Sequence, residues 1–272
     1  QLELSDSIQR FIPDFPYHNI TIEELLTHTS GLPSYEQLLS EKWDQKKFAT
    51  NHDIVESFKT YNPSVYFAPN EKFRYSNSGY AMLSLIIEKA SGMSYREFLD
   101  KNIFKPLGMS HSRVYNTRRS ISEHIDNYAY GYVYSDSLQR YILPDSLPDY
   151  NYVIYMDAIT GDGCVNSTTV DLARWHEALR KNTLVKKETL EKAYKKHILN
   201  NGTESKYGFG EFMQIEPGNE HIAYHSGGWP GYHTFILHFL DHDAAIIILS
   251  NTEYDNVSKL ANRIGLILTT NK

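Results

Sequence analysis

Residues 244–249 read Ala-Ala-Ile-Ile-Ile-Leu, an unbroken apolar run with nothing polar on either face of an extended chain. That pattern predicts a strand covered on both sides. It closes a series of short extended runs at 209–215, 222–226 and 232–240, separated by Pro217-Gly218, residues 227–231 and residues 241–243. Connections this short predict an antiparallel meander. The last strand then has one neighbour accounted for, and a flat apolar strand with a bare edge is an aggregation hazard. A further strand is therefore expected beside it. No unassigned segment in residues 1–208 supplies one, so the expected partner lies upstream of Gln1.

The rest of the 272 residues carries a helical period. Thr21-Ile22-Glu23-Glu24 forms a capping box opening a short helix through Leu25 and Leu26, closed by Gly31 and Pro33. Residues 36–47 and 53–60 predict amphipathic helices with polar outer faces. Residues 61–75, with Pro63 and Pro69, predict a loop. Over 78–90, Tyr80, Met82, Leu83, Leu85, Ile86 and Ile87 make a helix apolar nearly all round, hence buried, with Gly92 placed to end it. Ser94 and Glu97 cap the next helix. Residues 113–160, rich in Tyr, Asp and Ser, predict an irregular or short-stranded lobe. Helices are expected at 168–180, with Thr168 or Thr169 near its N-cap, at 188–196 and at 256–268. One unit over 1–272 is expected: a helical and irregular part to about 200, then meander and terminal helix from about 205.

Hydrophobic and charged shares of 41% and 22% are those of an ordinary globular chain. Net charge −6, with no Lys/Arg run longer than two residues, argues against a nucleic-acid surface. No apolar run approaches a bilayer span, and Gln1-Leu2-Glu3-Leu4 has neither the basic nor the apolar region of a secretory signal. Cys164 is alone, which excludes an internal disulfide and a cysteine-based zinc site. His221 and His225 do not converge on a strand, and no His-Glu-x-x-His occurs, so no metal or cofactor is expected.

Two short motifs carry chemistry. Tyr75-Ser76-Asn77 stands where a loop enters a helix, a junction that fixes side chains while exposing them to a cleft. A tyrosine hydroxyl titrates near 10, so as a base at neutral pH it needs a cation beside it. Asn77 offers an amide donor and acceptor for a substrate carbonyl or an ammonium. Read by itself, the tripeptide is better explained by Asn77 or Ser78 capping the helix. His225-Ser226-Gly227-Gly228 reads as the end of a strand running into a glycine turn, with His225 and Ser226 directed into the cleft and free N–H groups for an oxyanion. By itself it is also an ordinary turn with an exposed histidine.

Taken in order with Leu25-Leu26-Thr27-His28-Thr29-Ser30-Gly31-Leu32-Pro33, the segment Gly161-Asp162-Gly163-Cys164-Val165-Asn166-Ser167-Thr168 and Tyr207-Gly208-Phe209-Gly210, these motifs resemble the β-lactamase/penicillin-binding-protein superfamily. The nearest branch is that of class C-type hydrolases and esterases. The resemblance implies an α/β fold, an antiparallel sheet flanked by helices plus a mostly helical lobe, with the site between them. It implies Tyr75 as general base and Asn77 as substrate positioner. His225, Ser226 and Gly227 stand in place of the family's Lys-Thr/Ser-Gly, and the Gly228 N–H is an oxyanion donor. Residues 207–210 would begin a strand as scaffold. His28 is expected to be a buried, hydrogen-bonded scaffold residue.

Two departures matter. The family's Ser-x-x-Lys is nowhere in the sequence. It would fall upstream of Gln1, along with two sheet strands and the nucleophile helix, and the chain alone is expected to be inactive. His225 replaces a permanent cation with a side chain largely neutral at pH 7, which argues against carboxylate-directed β-lactam turnover. The resemblance thus implies a serine hydrolase forming an acyl-enzyme on an ester, amide or β-lactam, with a small-molecule or peptide substrate, usually exported. The rival expectation is a non-catalytic pseudoenzyme whose cleft binds peptidoglycan-like peptides.

Overall fold

The computed structural model describes residues 2–116, 125–216, 220–253 and 256–270. Side-chain caps set most helix starts. Thr21 and Glu24 close a reciprocal capping box at α1 (Ile22–Leu26), and Ser34 caps α2 (Tyr35–Lys42). Thr50 and Asp53 close a second box at α3 (Asn51–Tyr61). α4 (Asn77–Ser91) ends at Gly92, which takes the left-handed conformation (φ 69°) expected of it. Ser94 and Glu97 cap α5 (Tyr95–Leu99), which continues into one wider turn over Asp100–Phe104. Thr168 accepts from the Asp171 N–H at the start of α6 (Thr169–Arg180). α7 spans Lys187–Ala193 and α8 Val257–Thr270.

α2 is shorter than its amphipathic period. It stops where Trp43 becomes extended (ψ 145°) and its indole donates to the Lys47 carbonyl, turning the chain. α4 is buried as expected: Ala81, Met82, Leu85 and Ile86 pack with Leu25, Leu39, Ile54 and Phe58 in the main core. The middle lobe is short-stranded. Val133–Ser135 pairs with Arg140–Ile142, and Arg113–Val114 pairs with Val165–Asn166. Part of that lobe, residues 117–124, lies outside the described residues.

The meander is real but its limits differ. β1 (Phe212–Glu216), β2 (Glu220–Trp229), β3 (Tyr232–Phe239) and β4 (Ala244–Ser250) form one antiparallel sheet in that order. β1 starts late because residues 207–211 make a turn, with the Gly208 N–H donating to the Glu211 carbonyl. Residues 207–210 therefore precede the strand rather than begin it. β2 runs straight through Gly227 and Gly228, laddered to Thr234 and His233 of β3, so the turn is confined to Pro230 and Gly231. Gly231 is obligatory: φ is 84°, and a Cβ there would fall 2.3 Å from the Gly131 carbonyl carbon.

α8 covers one sheet face, packing Val257 and Ala261 on Ile222, Phe235, Leu237, Phe239 and Ile246. α6 lies on the other, where His176 and His238 approach through their Nδ1 atoms at 2.7 Å. β4 has a helix packed on each face, α8 on one and α6 on the other, as its sequence suggests, but its burial is only partial. Among the described residues it pairs with β3 alone, Ile246 is its one buried residue, and Leu249 is 39% exposed. As an edge strand it has apolar side chains on both faces with only one neighbouring strand to shelter them. Among the described residues no helix is long and apolar enough to cross a membrane.

Candidate active site

Register exposes a receptive edge on β2. Its ladder to β1 ends at the Phe212–Tyr224 pair, while its ladder to β3 continues to Trp229–Tyr232. From His225 onward, β2 therefore has no ladder partner on the β1 side among the described residues. The His221 carbonyl accepts from the Leu240 N–H on the β3 side. Alternation then directs the N–H and C=O groups of Ser226 and Gly228 to the open side. An extended segment can add there as a strand, with the Gly228 N–H among the groups directed to it.

Tyr75 closes the loop that enters α4 and lies 42% exposed in the facing wall. Its ring is 5.8 Å from the His225 ring and 4.2 Å from the His28 ring, centroid to centroid. Tyr207, buried at 1% exposure, backs this group at 4.6 Å from His28 and 6.0 Å from His225. His28 is a buried scaffold residue as expected, its Nδ1 accepting from the Ser76 N–H at 3.1 Å.

The capping alternative for this motif is not what the side chains do. Ser76 holds the N-cap position with no side-chain bond. Asn77 donates to the Glu36 carboxylate at 2.7 Å, and the buried Ser78 hydroxyl donates to the Pro33 carbonyl while accepting from the Tyr35 N–H. Glu36, expected on a solvated helix face, thus belongs to the site. So does Asp162, which accepts from the Tyr35 hydroxyl at 2.5 Å.

Burial raises the Tyr75 phenol to about 12, and the nearby Asp162 and Glu36 carboxylates push it the same way. Burial lifts Asp162 to about 7 despite the Tyr35 hydrogen bond. It also lowers His28 to about 3 and lowers His225. At neutral pH the two imidazoles beside Tyr75 are uncharged, and its acidic neighbours are Glu36 and an Asp162 that is only about half ionised. Phenolate is disfavoured in such surroundings, whereas an ammonium entering them is favoured.

Of the residues singled out in the sequence, Tyr75 and His225 meet, and Asn77 stands at the same helix start. Ser226 does not join them as expected. Strand alternation puts its side chain on the face opposite to His225, paired with Phe235, so its backbone alone belongs to the open edge. Gly227 and Gly228 are strand residues rather than turn residues, exposed along that edge. Among the described residues no group of three or more His, Cys, Asp or Glu is arranged to hold a metal.

A family model described as Beta-lactamase matches residues 1–270. The chain belongs to the beta-lactamase family. Penicillin-binding protein 4* of Bacillus subtilis (strain 168) is 49% identical to it, covering 93% of this chain and 56% of the relative. The octameric penicillin-binding protein homologue from Pyrococcus abyssi superimposes with TM-score 0.78 at 28% identity, over 98% of this chain and 60% of that one. A penicillin-binding protein from Bacillus halodurans shares the fold at TM-score 0.81 and 22% identity, over 97% of this chain and 78% of that one. The fold is therefore the serine β-lactamase and penicillin-binding-protein fold, as the sequence implied. The chain spans about half the length of the curated relatives it matches.

Proposed function

We propose that this beta-lactamase-family chain carries most of the cleft of a serine hydrolase acting through an acyl-enzyme on an ester, amide or β-lactam. The observation that carries the reading is the meeting of Tyr75, from the start of α4, with His225, from the open edge of β2, at 5.8 Å. In this reading the nucleophilic serine and its lysine belong to a Ser-x-x-Lys segment outside the 272 residues, together with the strand that pairs with β4. Tyr75 takes the serine proton and returns it to the leaving group. The lysine ammonium, received among Asn77, Glu36 and Asp162, brings the Tyr75 phenol down from about 12 so that it can act as a base. The Gly228 N–H and the serine's own N–H hold the oxyanion. The substrate backbone lies along Ser226 to Gly228, and neutral His225 forms an uncharged wall beside it. Export follows from the same reading.

The test has two arms. The chain as written hydrolyses no short-chain nitrophenyl ester, whereas a polypeptide extended to include the Ser-x-x-Lys segment shows an acyl-enzyme burst. In the extended form Tyr75→Phe lowers kcat by roughly 10²- to 10⁴-fold, the usual worth of a positioned general base. Turnover by the chain alone that Ser76→Ala abolishes would overturn the proposal, and so would an unchanged kcat in Tyr75→Phe. A second reading, a cleft that binds peptidoglycan-like peptides without turnover, is favoured by one observation: negative rather than positive groups face the Tyr75 phenol in this chain. Peptide binding by the extended form without a burst would select it.

A further inference from the structure

We propose that His28 is the positioning residue for Tyr75, gripping the backbone on both sides of it and setting the plane of its ring. The proposal rests on the reading of Tyr75 as general base. Three contacts carry it. The His28 carbonyl accepts from the Arg74 N–H at 3.0 Å, and its Nδ1 accepts from the Ser76 N–H at 3.1 Å, so both residues flanking Tyr75 hang on this one. The His28 ring lies against the Tyr75 ring at 4.2 Å with the planes 38° apart. The remaining sides of the imidazole are closed by Tyr80 at 4.9 Å and Tyr207 at 4.6 Å, and Tyr80 is anchored by its hydroxyl to the Leu26 carbonyl.

Two features of His28 are costly unless the grip is needed. Its backbone is left-handed (φ 57°), an uncommon region for any residue but glycine and one that here lets carbonyl and ring reach the same stretch of chain. Its Nδ1 is an acceptor, so the neutral ring carries its proton on Nε2, a buried atom with no hydrogen-bond partner among the described residues. The opposite tautomer would sacrifice the Ser76 bond. Packing alone does not explain an imidazole here, because a phenyl ring fills the same space and accepts nothing.

The test compares His28→Phe, which keeps the ring volume without the acceptor, with His28→Asn, which keeps an acceptor and tolerates a left-handed backbone. Amide exchange of the chain is read by ¹H–¹⁵N NMR. In His28→Phe the Ser76 amide loses protection by about 100-fold while the Leu85 and Ile86 amides in the core keep theirs, and His28→Asn restores Ser76 to within about tenfold. In the catalytically complete polypeptide, His28→Phe lowers kcat roughly 10- to 100-fold at nearly constant KM, and His28→Asn recovers most of it. Unchanged Ser76 protection in His28→Phe, or a uniform loss across the core, overturns the proposal. Should His28→Phe not fold, the ¹⁵N shift of Nδ1 in the unaltered chain decides: an unprotonated nitrogen coupled to the Ser76 amide supports the grip, and a protonated one refutes it. Failure of the underlying reading looks different. Tyr75→Phe then leaves turnover intact, while the exchange response at Ser76 persists and supports the grip on its own.

Discussion

Two buried groups of this site titrate against the fold in opposite directions, and substituting each separates them. His28 is 1% exposed and its imidazole is held down to about 3, against about 6.5 in an unfolded chain. Between those values the unfolded chain binds the proton first, so stability falls as pH falls. From pH 6.5 to 4.5 the loss is about 2 kcal/mol. Asp162 is the reverse case. Its carboxyl is raised to about 7, against about 3.9 unfolded, so over the same interval the native state binds the proton first. Acid then stabilises through Asp162 by about 2 kcal/mol. The native protein is therefore nearly level in this window as far as these two groups decide. His28→Asn removes the first slope, and its stability relative to the unaltered chain rises by about 2 kcal/mol from pH 6.5 to 4.5. Asp162→Asn keeps an acceptor for the Tyr35 hydroxyl but removes the second slope, and its relative stability falls by about 2 kcal/mol. Urea unfolding at three pH values measures both differences, and surface carboxylates such as Glu177 and Asp241 drop out because all variants share them. Relative stabilities that run parallel with pH in the two variants would refute the assignment of buried neutral histidine and buried protonated carboxyl.

Three further outcomes test other parts of the structure. His225→Lys places an ammonium where an uncharged imidazole now faces Tyr75, so in the catalytically complete polypeptide it speeds acylation by a fluorescent penicillin; no gain in labelling rate counts against that role. Gly231→Ala meets both a left-handed backbone and the Gly131 backbone, and lowers unfolding stability by about 2 kcal/mol or more with an unchanged urea slope. A loss within about 0.5 kcal/mol would mean the β2–β3 turn is not held as described. Thr50→Ala removes the hydroxyl half of the box that opens α3, the acceptor of the Asp53 N–H, and costs about 1 kcal/mol by the same assay; no change would show the cap to be unimportant for α3.

What the sequence shows and what it hides divide along chain distance. The helix starts at Thr21, Ser94 and Thr168 were legible because cap and partner lie three residues apart, whereas the Thr50 box, which opens α3 ahead of the expected 53–60, was not read. The meander was legible from its period, yet its limits were not. Gly227-Gly228 has the composition of a turn, and only the ladder to Thr234 and His233 keeps it in β2. That difference matters to the site, because a strand through Gly228 presents alternate backbone groups at a straight open edge, whereas a turn would scatter them. Alternation also separates His225 from Ser226, which a reading of adjacent letters joins. Tyr75 and Asn77 were legible because a loop-to-helix boundary marks them. Glu36 and Asp162 were not: Glu36 reaches Asn77 across 41 positions and Asp162 reaches Tyr35 across 127, and neither carboxylate differs locally from a solvated one. Yet these two decide the electrostatics, since after burial itself they raise the Tyr75 phenol away from the base it would have to be. If the cleft is the acyl-transfer site proposed above, the motif names its groups, while the packing around it sets a further requirement, a cation within reach of Tyr75, Asn77 and both carboxylates.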